Sequence, residues 1–169
     1  MKSAAPLARA AVIAAVYAVC TVVIAPLSYG AVQFRIAECL CILAFFYDEA
    51  VVGLTIGCLI ANLFSPCGPI DVLVGTSATL IAVLLSNITF KRIKNKAVGF
   101  IVGASFPIIV NALLVPVSIL VASPEEGSYV IVALQVGLGQ AAVILTLGLA
   151  LYAVLLKLFD NGVLKIKKP

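Results

Sequence analysis

The chain has 169 residues, of which 64% are hydrophobic and only 11% charged. Soluble domains carry about 25% charged residues, so this composition excludes a water-facing globule, a disordered chain and a disulfide-stapled secreted scaffold. The net charge of +4 does not call for nucleic acid, because basic residues also set orientation in a membrane.

A spanning helix takes roughly 20 mostly apolar residues, and the pattern predicts an all-α polytopic membrane protein of about six transmembrane helices. Residues 1–169 read as one integral membrane domain. The first segment, about 7–27, is rich in alanine and too long for a signal-peptide core, so it is read as a retained span. The second, 34–47, and the third, 50–64, fall below the usual spanning length, and either could be partly re-entrant. Ser65-Pro66-Cys67-Gly68-Pro69 is a turn. The fourth segment covers 70–90, and a basic loop follows from Lys91 to Lys96. The fifth covers 97–122 with Pro107 and Pro116 inside it. An acidic turn, Ser123 to Gly127, leads to the sixth segment at 128–158, and Lys165, Lys167 and Lys168 form a basic tail.

With six spans, ten of the eleven Lys and Arg residues fall on one side: Lys2, Arg9, Lys91, Arg92, Lys94, Lys96, Lys157, Lys165, Lys167 and Lys168. The positive-inside rule makes that side the cytoplasm, with both termini on it. Arg35 is the exception. Threaded this way, the strongly polar residues within spans group in the outer half or near the midplane: Gln33, Arg35, Glu38, Asn62, Asp71, Asn111, Gln135 and Gln140. The inner halves read as almost purely apolar, which suits a pocket that opens outward and is sealed below, whereas a continuous pore would carry polar residues throughout. Arg35 and Glu38, at i and i+3, share a helix face. They either form an ion pair that ties loop to helix, or Glu38 faces a ligand that Arg35 orients or binds. Asp71 suits a helix N-cap, a ligand contact, or both, and the amides suit a pocket or interhelical glue.

Ala10, Ala14 and Ala18 recur at i+4, as do Ala11 and Ala15. Such a stripe allows close helix approach, either within the chain or against another membrane subunit. There is no histidine, and the five cysteines lack C-x-x-C spacing. They read as small apolar fillers, so no metal or cofactor is expected. No G-x-x-x-x-G-K-[ST] run occurs, so ATP hydrolysis is left to partner subunits and the chain is not expected to be an enzyme.

The stretch Ser28-Tyr29-Gly30-Ala31-Val32-Gln33-Phe34-Arg35-Ile36-Ala37-Glu38 resembles the signature of the QueT family. These are substrate-binding S components of energy-coupling factor (ECF) transporters, taken to import a queuosine precursor. The likeness continues through Gly53–Leu63, Asp71–Thr79 and Phe106–Ala112 and covers nearly the whole chain. It implies a six-helix membrane subunit of a prokaryotic cell membrane. It also implies an alanine stripe in the first helix that docks on a transmembrane coupling subunit joined to two ATPases, and a deazaguanine ligand such as the aminomethyl compound. One departure is Gln140, where many relatives are expected to carry an acid. The competing reading is a stand-alone secondary transporter or small channel for another small polar solute.

Overall fold

The computed structural model describes residues 4–29 and 32–163. Lys2, Gly30, Lys165, Lys167 and Lys168 lie outside these. Among the described residues the fold is helical without strands. Helix α1 is Ala5–Val23, followed by a short α2, Ala25–Ser28. A 3-10 helix covers Ile36–Phe45. Then come α3, Asp48–Asn62, α4, Pro69–Arg92, and α5, Lys96–Ala122. Helix α6, Tyr129–Val143, runs through a π-helical turn, Ile144–Gly148, into α7, Leu149–Asp160. Four helices are long and apolar enough to cross a membrane: Ala5–Val23, Pro69–Arg92, Lys96–Ala122 and the continuous Tyr129–Asp160. The chain is an all-α polytopic membrane protein.

The first predicted span breaks at Ile24, two residues before Pro26, because a proline ring clashes with the preceding turn and lacks a donor. The second predicted segment is 3-10, not α. At about 2.0 Å per residue, ten residues reach roughly 20 Å, against about 15 Å in an α-helix. A segment short in sequence therefore penetrates further than its length suggests.

Helix α5 passes through two prolines unbroken. Pro107 has no N–H for the carbonyl of Gly103, four residues back. The Ser86 hydroxyl of α4 donates to that carbonyl at 2.7 Å and replaces the missing bond. At the start of α5 the Asn95 side chain caps the backbone N–H groups of Ala97 and Val98 at 3.0 and 3.2 Å, as an N-cap should.

Helices α1 and α3 meet along a seam of small residues. A Cβ on Gly53 would lie 2.7 Å from the Ala10 carbonyl, and one on Gly57 would lie 2.8 Å from that of Ala14. This is the close approach that small residues four apart permit. Ala10, Ala14 and Ala18 are buried, whereas Ala11 and Ala15 are exposed. The stripe expected to dock on a partner is thus divided, and its buried half is taken up by packing inside this chain. The Gly53-x-x-x-Gly57 pair that receives it was not singled out from the sequence.

One end of the molecule gathers the described basic residues other than Arg35. There Arg9 pairs with Glu49 at 2.5 Å, Lys91 with Asp48, and Lys96 with Asp160 at 3.4 Å. The same end is filled by aromatic rings. Phe45 stacks on Phe90 at 4.7 Å, and Phe46 on Phe159 at 4.9 Å, with Phe100 and Tyr152 against them. Polar side chains also occur here, contrary to the purely apolar inner half expected. Asn87 is buried and donates to the Ala44 carbonyl at 2.7 Å and to Asp48 at 3.0 Å. It and Ser86 bond main-chain carbonyls that helix ends and proline leave free.

Candidate functional site

Away from the aromatic plug, each long segment sends a polar side chain to one buried network. Helix α1 supplies Tyr17, the 3-10 helix Glu38 and Cys41, and α3 Cys58 and Asn62. Helix α4 supplies Asp71 and Thr79, α5 Asn111 and Ser118, and α6 Gln140; all are buried.

Glu38 is the hub. Its carboxylate accepts from the Tyr17 hydroxyl on one oxygen. On the other it accepts from Cys41 Sγ at 3.2 Å, Gln140 Nε2 at 2.8 Å and Asn111 Nδ2 at 3.5 Å. The donors come from four segments, so the carboxylate knits the bundle together at this depth. Glu38 lies about 14 Å from Phe45 along the 3-10 helix at 2.0 Å per residue, well clear of the aromatic end.

Arg35 does not pair with Glu38. It sits just before the 3-10 helix in extended conformation, φ −81° and ψ 98°, so the i, i+3 helix-face argument does not apply to it. Its guanidinium reaches across to Asp71 at 3.1 Å, donates to the Ser28 carbonyl at 3.3 Å and lies over the Tyr29 ring, 5.2 Å from its centre. Nor is Asp71 the cap of α4. The helix begins at Pro69 after Gly68, whose φ is +68°. The Asp71 carboxylate, inside the first turn, takes Arg35 on one oxygen and the Ser118 hydroxyl, at 2.9 Å, on the other. Gly75 lies against this group: a Cβ there would fall 2.7 Å from Asn62 Nδ2 and 2.9 Å from Asp71 Oδ1.

Cys58 lies beside the Asp71 centre. It receives Asn62 Nδ2 at 3.4 Å and Thr79 Oγ1 at 3.1 Å. Asn62 Nδ2 in turn donates to the Asp71 carbonyl at 3.0 Å. Sequence reasoning passed over Tyr17, Cys41, Cys58 and Ser118, since a tyrosine, a serine or a cysteine in an apolar helix carries no signal until its partner is known.

Gln33 is buried with a φ of +46°. The loop that carries it presses on α6, where a Cβ on Gly139 would collide with the Val32 carbonyl. Gln135 is half-buried one and a half turns before Gln140. Its Oε1, together with Asn62 Oδ1, Ser28 Oγ and Thr76 Oγ1, is buried without a hydrogen-bond partner among the described residues. Four orphaned oxygens around a network otherwise well paired are a mark of a ligand or water site. Beyond Tyr29 a cavity of about 170 Å³, lined by Tyr29, Pro66, Cys67, Ile119, Ser123 and Glu126, opens at the end opposite the basic one. Burial pushes the Cys67 thiol in that turn above its ordinary pKa.

The family model described as "QueT transporter" matches residues 7–157. A curated relative, "Queuosine precursor transporter QueT" of Lactococcus lactis subsp. cremoris (strain MG1363), is 38% identical over 86 residues, 50% of each chain. The match thus spans about half the length of that relative. No solved structure matches. With every segment that builds the buried network inside the matched residues, the chain belongs to the QueT transporter family.

Proposed function

We propose that the chain is the substrate-binding membrane subunit of an ATP-driven importer of ECF type, and that it takes a queuosine precursor of the deazaguanine class. The observation that carries this reading is the buried network itself. It combines two acids, an arginine and several amides, with orphaned acceptors at Asn62 and Gln135. The pyrimidine edge of a deazaguanine offers adjacent N–H donors and a carbonyl, which need acceptors and a donor in return. The relative's name points to the same ligand class. Gln33, Arg35, Glu38, Asn62, Asp71, Asn111, Gln135 and Gln140 are the proposed contacts.

The basic end is assigned to the cytoplasm of a prokaryotic cell by the positive-inside rule, so the cavity beyond Tyr29 opens outward. Transport is assigned to a complex with a coupling subunit and two ATPases, because the sequence holds no nucleotide motif. Docking falls to the exposed face of α1 that includes Ala11 and Ala15. The polar pair Ser86 and Asn87 does not favour a stand-alone channel. Both are engaged with carbonyls, and the aromatic plug lies beside them.

The test is uptake into proteoliposomes that hold either this chain alone or the complex, with and without ATP. Binding by the lone chain and ATP-dependent uptake by the complex are expected. Substantial uptake by the lone chain would sink the ECF reading and leave the secondary transporter.

A further inference from the structure

The tyrosines of this chain differ in what their hydroxyls meet. Tyr29, Tyr129 and Tyr152 each donate to a main-chain carbonyl, those of Ala61, Leu113 and Lys96. Tyr17 donates instead to a carboxylate oxygen, Oε1 of Glu38. It is fully buried on α1, in a cluster with Ile13, Leu54 and Val83. The small-residue seam sets its place. A Cβ on Gly57 would lie 2.8 Å from the Tyr17 Cβ, so α3 closes directly on the base of this side chain. Close-packed on that side, the ring is held in one direction.

The two oxygens of Glu38 are loaded unequally. A carboxylate oxygen offers about two acceptor positions. Among the described residues Oε2 faces three donors, Cys41 at 3.2 Å, Gln140 at 2.8 Å and Asn111 at 3.5 Å, whereas Oε1 faces Tyr17. The remaining acceptor position is therefore on Oε1, next to the Tyr17 hydroxyl.

We propose that Tyr17 is a positioning residue for ligand binding: its hydroxyl holds Glu38 so that the remaining acceptor position of Oε1 points at the ligand. The proposal rests on the placement of Glu38 among the ligand contacts above and adds to it a residue of α1. A hydrogen bond to a charged acceptor is of the strong kind. Without it the carboxylate turns about its side-chain torsions under the pull of the donors on Oε2. A tyrosine that only fills the core would lose stability, not ligand affinity, when its hydroxyl is removed. Tyr152 is the comparison, a ring with a bonded hydroxyl in the aromatic plug.

The experiment is calorimetric titration of the full chain in detergent with 7-aminomethyl-7-deazaguanine, with the thermal midpoint of each unliganded chain measured beside it. The native chain is compared with Tyr17→Phe, with Tyr152→Phe and with a chain carrying 4-aminophenylalanine at position 17, whose N–H donates from the place of the hydroxyl. Tyr17→Phe is expected to weaken binding about tenfold, the scale of one hydrogen bond to a charged group. The 4-aminophenylalanine chain should stay within about threefold of the native affinity. Tyr152→Phe should lower the midpoint and also leave affinity within about threefold. Native or tighter affinity in Tyr17→Phe overturns the proposal, the latter because the hydroxyl would then compete with the ligand. So does a 4-aminophenylalanine chain that binds no better than Tyr17→Phe. If Tyr17→Phe fails to fold, 3-fluorotyrosine at position 17, which keeps the hydroxyl, decides by fluorine NMR. Its resonance is expected to shift on addition of the probe while the same label at position 152 does not, and an unmoved resonance at position 17 overturns the proposal. All these failures leave the deazaguanine reading standing. No binding to the native chain overturns that reading and the proposal with it.

Discussion

Glu38 and Arg35 stand three residues apart, yet each serves a different partner. The 3-10 helix turns Glu38 into the bundle toward Tyr17 and Gln140, while the extended residue before it sends Arg35 to Asp71. The pair's roles separate in mutagenesis. Arg35→Ala leaves Asp71 buried without its cation, and breaking a buried pair from one side costs about 3–5 kcal/mol. A large drop in the thermal midpoint of the detergent-solubilised chain is expected. Glu38→Ala is expected to abolish measurable binding by titration while the chain still elutes as a monodisperse species. Unchanged affinity in that variant would remove Glu38 from the site. Ala14 behaves differently from its exposed neighbour Ala15. Ala14→Trp forces a ring into the seam against Gly57 and is expected to unfold the chain. Ala15→Trp is expected to leave ligand binding intact and to reduce co-purification with a coupling subunit.

At the scale of elements, the informative joints are those where backbone bonding is incomplete. Pro107 frees the Gly103 carbonyl and Ser86 takes it up; the end of the 3-10 helix frees Ala44 and Asn87 takes it up. Ser86→Ala should cost roughly 1–3 kcal/mol, because a buried acceptor is left unpaired, and a shift of the denaturation midpoint without loss of ligand affinity is the measurement to make. Gly139 is a stricter joint. The Val32 carbonyl rests where a Cβ would stand, so Gly139→Ala must push the loop from α6. That loop carries Gln33 and leads into Arg35, and so this substitution is expected to weaken ligand binding more than it lowers stability. A loss of stability with affinity unchanged would show that the loop does not cover the site.

For the whole molecule, the arrangement is a bundle sealed by aromatic rings at the basic end, with a polar network beyond the seal and a cavity at the opposite mouth. Tyr29 separates that cavity from Arg35: its ring lies beneath the guanidinium, and its hydroxyl donates to the Ala61 carbonyl at 2.6 Å. On the proposed reading, a ligand entering from this side displaces Tyr29 on its way to Glu38. Tyr29→Ala is therefore expected to speed association and dissociation together in stopped-flow binding, with a smaller change at equilibrium. Equal rates in native chain and variant would place the entrance elsewhere.

Class and segment positions were legible in the residues alone. A chain so poor in charge has to bury its backbone polar groups in helices within a membrane, and the Pro, Gly and basic runs mark the turns. The boundaries of α3, α4 and α5 lie within a few residues of those expected. Six of the eight polar residues named from sequence, Arg35, Glu38, Asn62, Asp71, Asn111 and Gln140, join the buried hydrogen-bonded groups, because a charge or amide inside an apolar span has few places to go. Partnership was not legible. That Arg35 pairs with Asp71 and not Glu38, that Tyr17 and Cys41 complete the carboxylate's shell, and that Ala10 and Ala14 face Gly53 and Gly57 all depend on which helix lies beside which. Helical periodicity tells which residues share a face but not what the face meets. Only packing joins residues as far apart in sequence as Glu38 and Gln140.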